Sequence, residues 1–182
     1  FDVPAISITI PEGFTAEDIA ERVVGRMPSI DREDFIAEAK RNEGYLFPDT
    51  YFFQQESDIT DVIAAMRKEF NKRIGYIEPE LLSLASIVQG EANNVDDMKI
   101  VAGILLERIS IDMPLQVDVD KTTYEIYGAP NVPINNPGLD AINAVRQPTK
   151  TSYLYYITGN DGNMYYAKTY KEHLRNIEKH LK

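Results

Sequence analysis

The sequence has no cysteine and no tryptophan, and its only histidines are His173 and His180. Without cysteine there is no disulfide framework, no thiol catalysis and no cysteine-based zinc site. Two histidines are too few for a His-rich metal centre. Positive charge is also short: 19 Lys and Arg against 29 Asp and Glu leave a formal net charge of −10. General nucleic-acid binding needs clustered Lys and Arg against phosphate, so nucleic acid is not an expected partner. No run approaches the ~18 consecutive apolar residues of a membrane span. The chain starts at Phe1 rather than Met and lacks a basic-then-apolar leader, which reads as a trimmed or mature fragment from which a signal or anchor is missing.

What is present suits a packed protein. Hydrophobic residues make up 43% and charged residues 26% of 182, ordinary globular values for one domain or one domain with a small appendage. Ala5–Ile10 alternates, with Ile6, Ile8 and Ile10 on one side of a strand. After the Pro11-Glu-Gly13 turn, Thr15 with Asp18 makes a capping box, and Ile19, Val23, Val24 and Met27 form one helical face up to Pro28. Asp31 with Asp34 repeats the signal for a helix over 32–41. This strand-helix-helix unit, residues 1–42, is too small to bury much alone.

The aromatic stretch Glu43–Phe53 reads as a loop leading into an extended segment. A helix starting near Thr60 follows, with Ile63, Met66, Phe70 and Ile74 at helical spacing. Pro79 opens another, running through Val88 and apolar on all sides, hence central and buried, which gives way to the polar run Gln89–Asn94. Asp96 is placed to cap the next helix, with Ile100, Val101, Ile104, Leu105 and Ile109 inside. From Ile111 to Gly138 the pattern is lost, and a loop of that length in a compact domain is functional or disordered; its Thr, Tyr, Asn and Ile content favours an ordered wall. A short helix at 139–146, a hairpin of 153–158 with 164–167 and a closing helix over 171–182 complete an α+β protein.

Chemistry has few places to sit. Glu91 ends the apolar helix, where desolvation raises a carboxyl pKa and makes it a proton donor for glycosidic cleavage. Position alone favours a solvated residue at a helix end, as most charged residues are exposed. A hydrolase also needs a second carboxylate, and Asp96, Asp97, Asp118 and Asp120 are all candidates, the first two being explained as well by the helix dipole. Ser86 lacks a Gly-x-Ser-x-Gly elbow and reads as a small packing residue. His173 and His180 share a helix face but no carboxylate-rich motif supports a ligand pair. The tyrosines from Tyr153 to Tyr156 suit sugar stacking or plain hairpin packing.

Taken in order, the segments resemble a known family. Glu43-Gly-Tyr-Leu-Phe-Pro-Asp-Thr-Tyr51, Leu84-Ala-Ser-Ile-Val-Gln-Gly-Glu-Ala92, Val101-Ala-Gly with Arg108, Met113-Pro-Leu-Gln-Val-Asp118, Thr123-Tyr124 and Pro133-Ile-Asn-Asn-Pro-Gly138 follow one another. Ala141-Ile142, Pro148, Tyr153-Leu-Tyr-Tyr-Ile157, Asp161-Gly162 and Glu172-His173 complete the series. Each block is weak alone. The collinear set over roughly 43–173 resembles the endolytic murein lytic transglycosylases of the MltG/YceG-like family.

The resemblance implies a lysozyme-like helical catalytic core with a β-hairpin-containing subdomain over 43–182, preceded over 1–42 by part of a lysin-motif-like module. It implies an envelope lyase that cuts the MurNAc–GlcNAc β-1,4 bond inside peptidoglycan strands without water, leaving 1,6-anhydro-MurNAc ends. One Glu serves as acid and then base, with no metal or cofactor. Peptidoglycan strands are the partner and cell-wall synthases a further candidate. The location is the extracytoplasmic face of the bacterial membrane, held by an N-terminal helix absent from this chain. The catalytic Glu falls on Glu91, the second acidic position of the family's Glu-x-Glu; Gln89 holds the first.

Gln116, Asp118, Thr123, Tyr124 and Asn136, with Gln89, are the candidates for substrate binding; hydrogen bonding within the loop itself competes as their role. The chain departs from the family at Gln89, at Glu107 in place of Asn, at Met164 in place of His, and in a much shorter segment before Thr123. An amide at Gln89, natural or introduced, together with the shortened wall, also fits a catalytically silent glycan-binding or scaffold protein of wall synthesis.

Overall fold

The computed structural model describes residues 5–125 and 127–182; the first four residues of the 1–42 unit and Ile126 of the long loop lie outside the described residues. The fold is α+β, with β1 (Ile6–Thr9), α1 (Ala16–Val24), α2 (Arg32–Lys40), β2 (Thr50–Phe53), α3 (Ile59–Arg73) and α4 (Pro79–Glu91) in the first half. α5 (Val95–Ser110), a single 3₁₀ turn at Lys121–Tyr124, α6 (Leu139–Arg146), β3 (Tyr155–Thr158), β4 (Met164–Ala167) and α7 (Tyr170–His180) follow. β1 pairs antiparallel with β2, Ile6 opposite Phe53 and Thr9 opposite Thr50; β3 pairs antiparallel with β4, Tyr155 opposite Ala167.

The expected capping box forms: the Thr15 side chain accepts from Asp18 N–H while Asp18 returns to the Thr15 N–H. Asp31 caps α2 by accepting from Glu33 and Asp34 N–H. Ile8, Ile19, Ala20, Val23, Phe35 and Ala39 then form an apolar cluster that continues through Tyr51 and Phe53 to Val62, Ile63 and Met66. The strand-helix-helix unit thus closes its core with β2 and α3, as a unit too small to bury its own face must.

Three expectations need correction. α4 does not stop at Val88; it carries Gln89, Gly90 and Glu91 as its last turn, because their backbones lengthen the helix whatever their polarity. The cap of α5 is Asn94, whose side chain accepts from Asp97 N–H, and not Asp96. α3 starts at Ile59, one residue ahead of Thr60, capped by the reciprocal Asp58 and Asp61 pair.

The second apolar cluster joins α4, α5 and α6 around Leu82, Ala85, Ile87, Val101, Leu105 and Ile142. The long loop is bolted to α4. Ser83 Oγ donates to Val132 O at 3.0 Å, Ser86 Oγ accepts from Ile134 N–H at 3.0 Å, and Asn135 donates to Ser86 O at 2.8 Å. Ser86 is therefore an anchor for the loop and not a plain packing residue. Among the described residues no helix is long and apolar enough to cross a membrane.

Candidate functional site

The C-terminal end of the buried α4 opens into a groove of about 560 Å³. Glu91 lies at its base, with Gln116, Asp118 and Tyr124 from the long loop, Arg108 from α5, Tyr155 and Tyr156 from β3, and Tyr170 and His173 from α7 along its walls. Gly90 lets the loop come this close. A side chain there would press on Val119, whose N–H donates to Glu91 Oε1 at 3.4 Å.

Burial is the main influence on Glu91 and raises its pKa above the ordinary carboxyl value, and the Asp118 charge pushes the same way. Against these, the Val119 N–H bonds to one carboxylate oxygen, and the Tyr156 hydroxyl in the same groove also favours the charged form. A carboxyl held between such opposing influences can both give and take a proton. Asp118 is different. It sits exposed on the rim, bonded by Lys121 and by Tyr124 Oη at 3.1 Å, and those bonds hold it below the usual carboxylate range.

Arg108 is buried yet keeps its charge satisfied by backbone. Its guanidinium donates to Leu154 O at 2.7 Å and to Leu115 O, so one side chain ties the hairpin to the loop. It also lies 5.4 Å over the Tyr155 ring, which in turn stacks on His173 and meets Tyr170 at a tilt. Burial and the Arg108 charge lower the His173 pKa, and its Nδ1 is buried without a hydrogen-bond partner. His180 stacks on Tyr165, outside this groove, so the two histidines do not form a pair.

Of the sequence candidates, Glu91, Gln116, Asp118 and Tyr124 meet in the groove. Gln116 holds a left-handed backbone (φ 49°), an uncommon conformation for a non-glycine residue. Thr123, Gln89 and Asn136 are not brought there. Thr123 is fully buried, its hydroxyl accepting from Val117 N–H at 2.9 Å and donating to Asp120 O at 2.6 Å, so it shapes the loop from within. Gln89 accepts from Gly138 N–H at 2.9 Å, linking the last turn of α4 to the cap of α6.

Asn136 is fully buried in a clasp between the two halves of the chain. Its Oδ1 accepts from Gly44 and Leu46 N–H at 2.8 and 3.0 Å; its Nδ2 donates to Phe14 O at 3.0 Å and Glu43 Oε1 at 2.6 Å. For Thr123 and Asn136, short polar side chains in a tight loop satisfied buried backbone before any ligand could use them.

The sequence offered Tyr156 only as one of several hairpin tyrosines, and assigned Arg108 and His173 no role in a site though both lie in the family blocks. They come from three elements whose convergence no local pattern reports. The one available signal was that the Tyr155-Tyr156 pair must point to opposite faces of a strand, so one ring had to leave the core side.

The chain is similar to known proteins over most of its length. The family model described as the YceG-like family matches residues 2–121 and 122–179, the break falling inside the 3₁₀ turn where the wall segment is short. A protein of Streptococcus pneumoniae serotype 2 named endolytic murein transglycosylase is 28% identical over 246 aligned residues, covering 96% of this chain and 44% of the relative. One of the same name from Bacillus subtilis is 28% identical over 236, covering 97% of this chain and 66% of the relative. The chain thus spans between 44% and 66% of the length of these curated relatives. The crystal structure of a yceG-like protein of Listeria monocytogenes superposes with a TM-score of 0.82 at 27% identity, over 95% of this chain and 76% of that one. With nearly every residue inside the family match and the fold shared at that level, the chain belongs to the YceG-like family.

Proposed function

We propose that the chain is the catalytic part of a peptidoglycan lytic transglycosylase acting inside glycan strands. The observation that carries this reading is the half-buried Glu91 carboxyl at the base of an open groove, poised between proton donor and acceptor. The names of the relatives supply the substrate: murein strands. In its acid form Glu91 gives its proton to the glycosidic oxygen as the bond from that oxygen to C1 breaks and positive charge develops at the ring. The resulting carboxylate takes the proton of the C6 hydroxyl as the C6 oxygen bonds to C1. The proton inventory closes on one residue, no water is consumed, and the product ends in 1,6-anhydro-MurNAc. The intramolecular attack gains from high effective molarity.

Gln116, Asp118 and Tyr124 offer polar contacts to sugar hydroxyls along the loop wall, and Tyr155 and Tyr170 offer ring faces. We read α4 to α6 as a lysozyme-like core, β3 and β4 as its hairpin subdomain, and residues 1–42 as part of a lysin-motif-like module whose sheet is completed by β2. The whole protein would work at the extracytoplasmic face of the membrane, held by an N-terminal helix beyond this sequence and working beside cell-wall synthases.

Gln89 lies on the far side of α4 from the groove, bonded to Gly138, so its amide takes no proton-donating role from Glu91. This speaks against the silent scaffold reading. A hydrolase finds some support in Asp118, an ionised carboxylate in the same groove as a neutral-leaning Glu91, the division of roles seen where two carboxylates share a glycosidase site. Its position on the exposed rim, already bonded to Lys121 and Tyr124, counts against it. Digestion of purified peptidoglycan with mass-spectrometric analysis of the products decides. Anhydro ends that disappear with Glu91→Gln support the transglycosylase. Reducing ends mean hydrolysis, and binding without new ends means a scaffold.

A further inference from the structure

We propose that His173 is a specificity-determining residue of this groove: its Nε2–H donates to the carbonyl of a sugar acetamido group, and the aliphatic wall beside it takes the acetyl methyl. This deepens the reading of the groove as a glycan site, and rests on it. His173 enters from the first turns of α7, stacked on the Tyr155 ring at 5.3 Å and tilted against Tyr170 at 6.1 Å. Tyr155 is itself held in β3 with the Arg108 guanidinium over its ring. The imidazole plane is therefore set before any ligand arrives, which lowers the ordering cost of binding.

Held in this way, the ring has one hydrogen bond to offer. Among the described residues its Nδ1 is buried without a partner, whereas Nε2 is not enclosed like this and belongs to a side chain that lines the groove. A proton on Nδ1 would be an orphaned buried donor, the rarer arrangement, so the neutral ring carries its proton on Nε2. A second proton is opposed by burial and by the Arg108 charge. The imidazole is thus a fixed donor that does not accept.

Its ligand must accept and need not donate. On a neutral β-1,4 glycan the acetamido carbonyl fits that requirement; a hydroxyl fits less well, because its own proton needs a further acceptor. The surroundings make the same choice. Ile177 lies one turn beyond His173 on the same face of α7, and Ile157 joins it in the groove wall from β3. A donor bordered by aliphatic side chains suits a carbonyl with a methyl attached.

The test compares two neutral tetrasaccharides with the same β-1,4 backbone: tetra-N-acetylchitotetraose, with acetamido groups at C2, and cellotetraose, with hydroxyls there. Affinities are measured by calorimetry in a Glu91→Gln background, so that neither sugar is cut. The acetamido sugar should bind at least tenfold more tightly. His173→Phe, which keeps a stacked ring and loses the donor, should bring the ratio within about twofold. His173→Gln, which returns an N–H donor without the ring, should recover most of the ratio. Nitrogen NMR of the unliganded protein should show the His173 proton on Nε2.

Equal affinity of the starting protein for both sugars overturns the proposal, as does a proton found on Nδ1. So does a His173→Phe variant that weakens both sugars alike, which is the mark of a merely structural ring. If the ratios behave as expected but peptidoglycan digested by the parent chain yields no anhydro ends, the acetamido site stands and the transglycosylase reading falls.

Discussion

Two half-buried carboxyls, Glu91 and Glu43, look alike in their ionisation and differ in everything around them. Burial raises the pKa of each, Glu43 to about 7. Glu91 looks into an open groove, with a long 3.4 Å bond from Val119 on one oxygen. Glu43 is tied into the fold, one oxygen accepting from Ala16 N–H at 3.1 Å at the start of α1, the other from Asn136 at 2.6 Å. A shifted pKa marks a candidate for chemistry only where a reactant can reach the group. Glu91 has room for a sugar beside it; Glu43 has the other half of its own protein.

Breaking the open carboxyl should cost activity and little else. Glu91→Gln removes the proton source, and the rate of anhydro-end formation should fall about a thousandfold, about 4 kcal/mol of transition-state stabilisation. Its thermal midpoint should stay close to that of the parent chain, because an amide is easier to bury than a carboxylate. A mutant that retained a tenth of the activity would remove Glu91 from the mechanism.

Breaking the clasp should do the reverse. Asn136→Ala strands the Gly44 and Leu46 N–H groups, Phe14 O and one Glu43 oxygen in a buried site. Unsatisfied buried polar groups cost about 1–3 kcal/mol each, partly recovered by entering water, so a loss of about 3 kcal/mol is expected in urea unfolding. A loss under about 1 kcal/mol would mean that the clasp does not hold the halves together.

The same pair shows what was legible in the sequence. The local signals were sound: the capping pair of Thr15 and Asp18, the Asp31 cap and the buried α4 follow from spacing and side-chain type. Glu91 was reachable because it ends a run that is apolar on all sides. The polar letters Gln89-Gly90-Glu91 hid the last helical turn, since periodicity sees side chains and the helix is propagated by backbone.

Asn136 stands in the sequence equally for a sugar contact or an internal hydrogen bond; the structure uses its side chain as a clasp whose donors, Gly44 and Leu46, lie some ninety residues away in sequence. The convergence of Tyr156, Arg108 and His173 stayed hidden for the same reason. Glu43 gave no sign of burial. Its partners, Ala16 and Asn136, lie 27 and 93 residues away in sequence.

pH sharpens the contrast further. Because the folded Glu43 pKa is raised to about 7 from 4.5, the native state binds more protons than the unfolded chain between those values. Stability is therefore greatest below about pH 4.5 as far as Glu43 is concerned, and is lost as the pH rises towards 7. The drop should amount to about 2 kcal/mol once partial solvent access is allowed for. Glu12 and Glu91 have raised pKa values as well, so the parent curve alone does not isolate one group. The difference between parent and Glu43→Gln unfolding curves, measured across pH 4 to 8, should carry the slope assigned to Glu43. Parallel curves would show that the clasp is indifferent to its charge.

The smallest expected effect separates the two ways of reading the groove. Asp118 raises the Glu91 pKa through its charge, and it lies on the rim with Lys121 and Tyr124 already on its carboxylate. If Glu91 works alone, Asp118→Asn removes only that charge. The alkaline limb of the pH profile should then move down by a few tenths of a unit, with the rate at its optimum within about threefold of the parent. A hydrolase would answer differently, because its second carboxylate activates water or attacks the sugar directly, and losing it costs a hundredfold or more. A small shift with anhydro products intact would leave Glu91 as the sole acid and base; a collapse in rate with reducing ends lost would make Asp118 its partner.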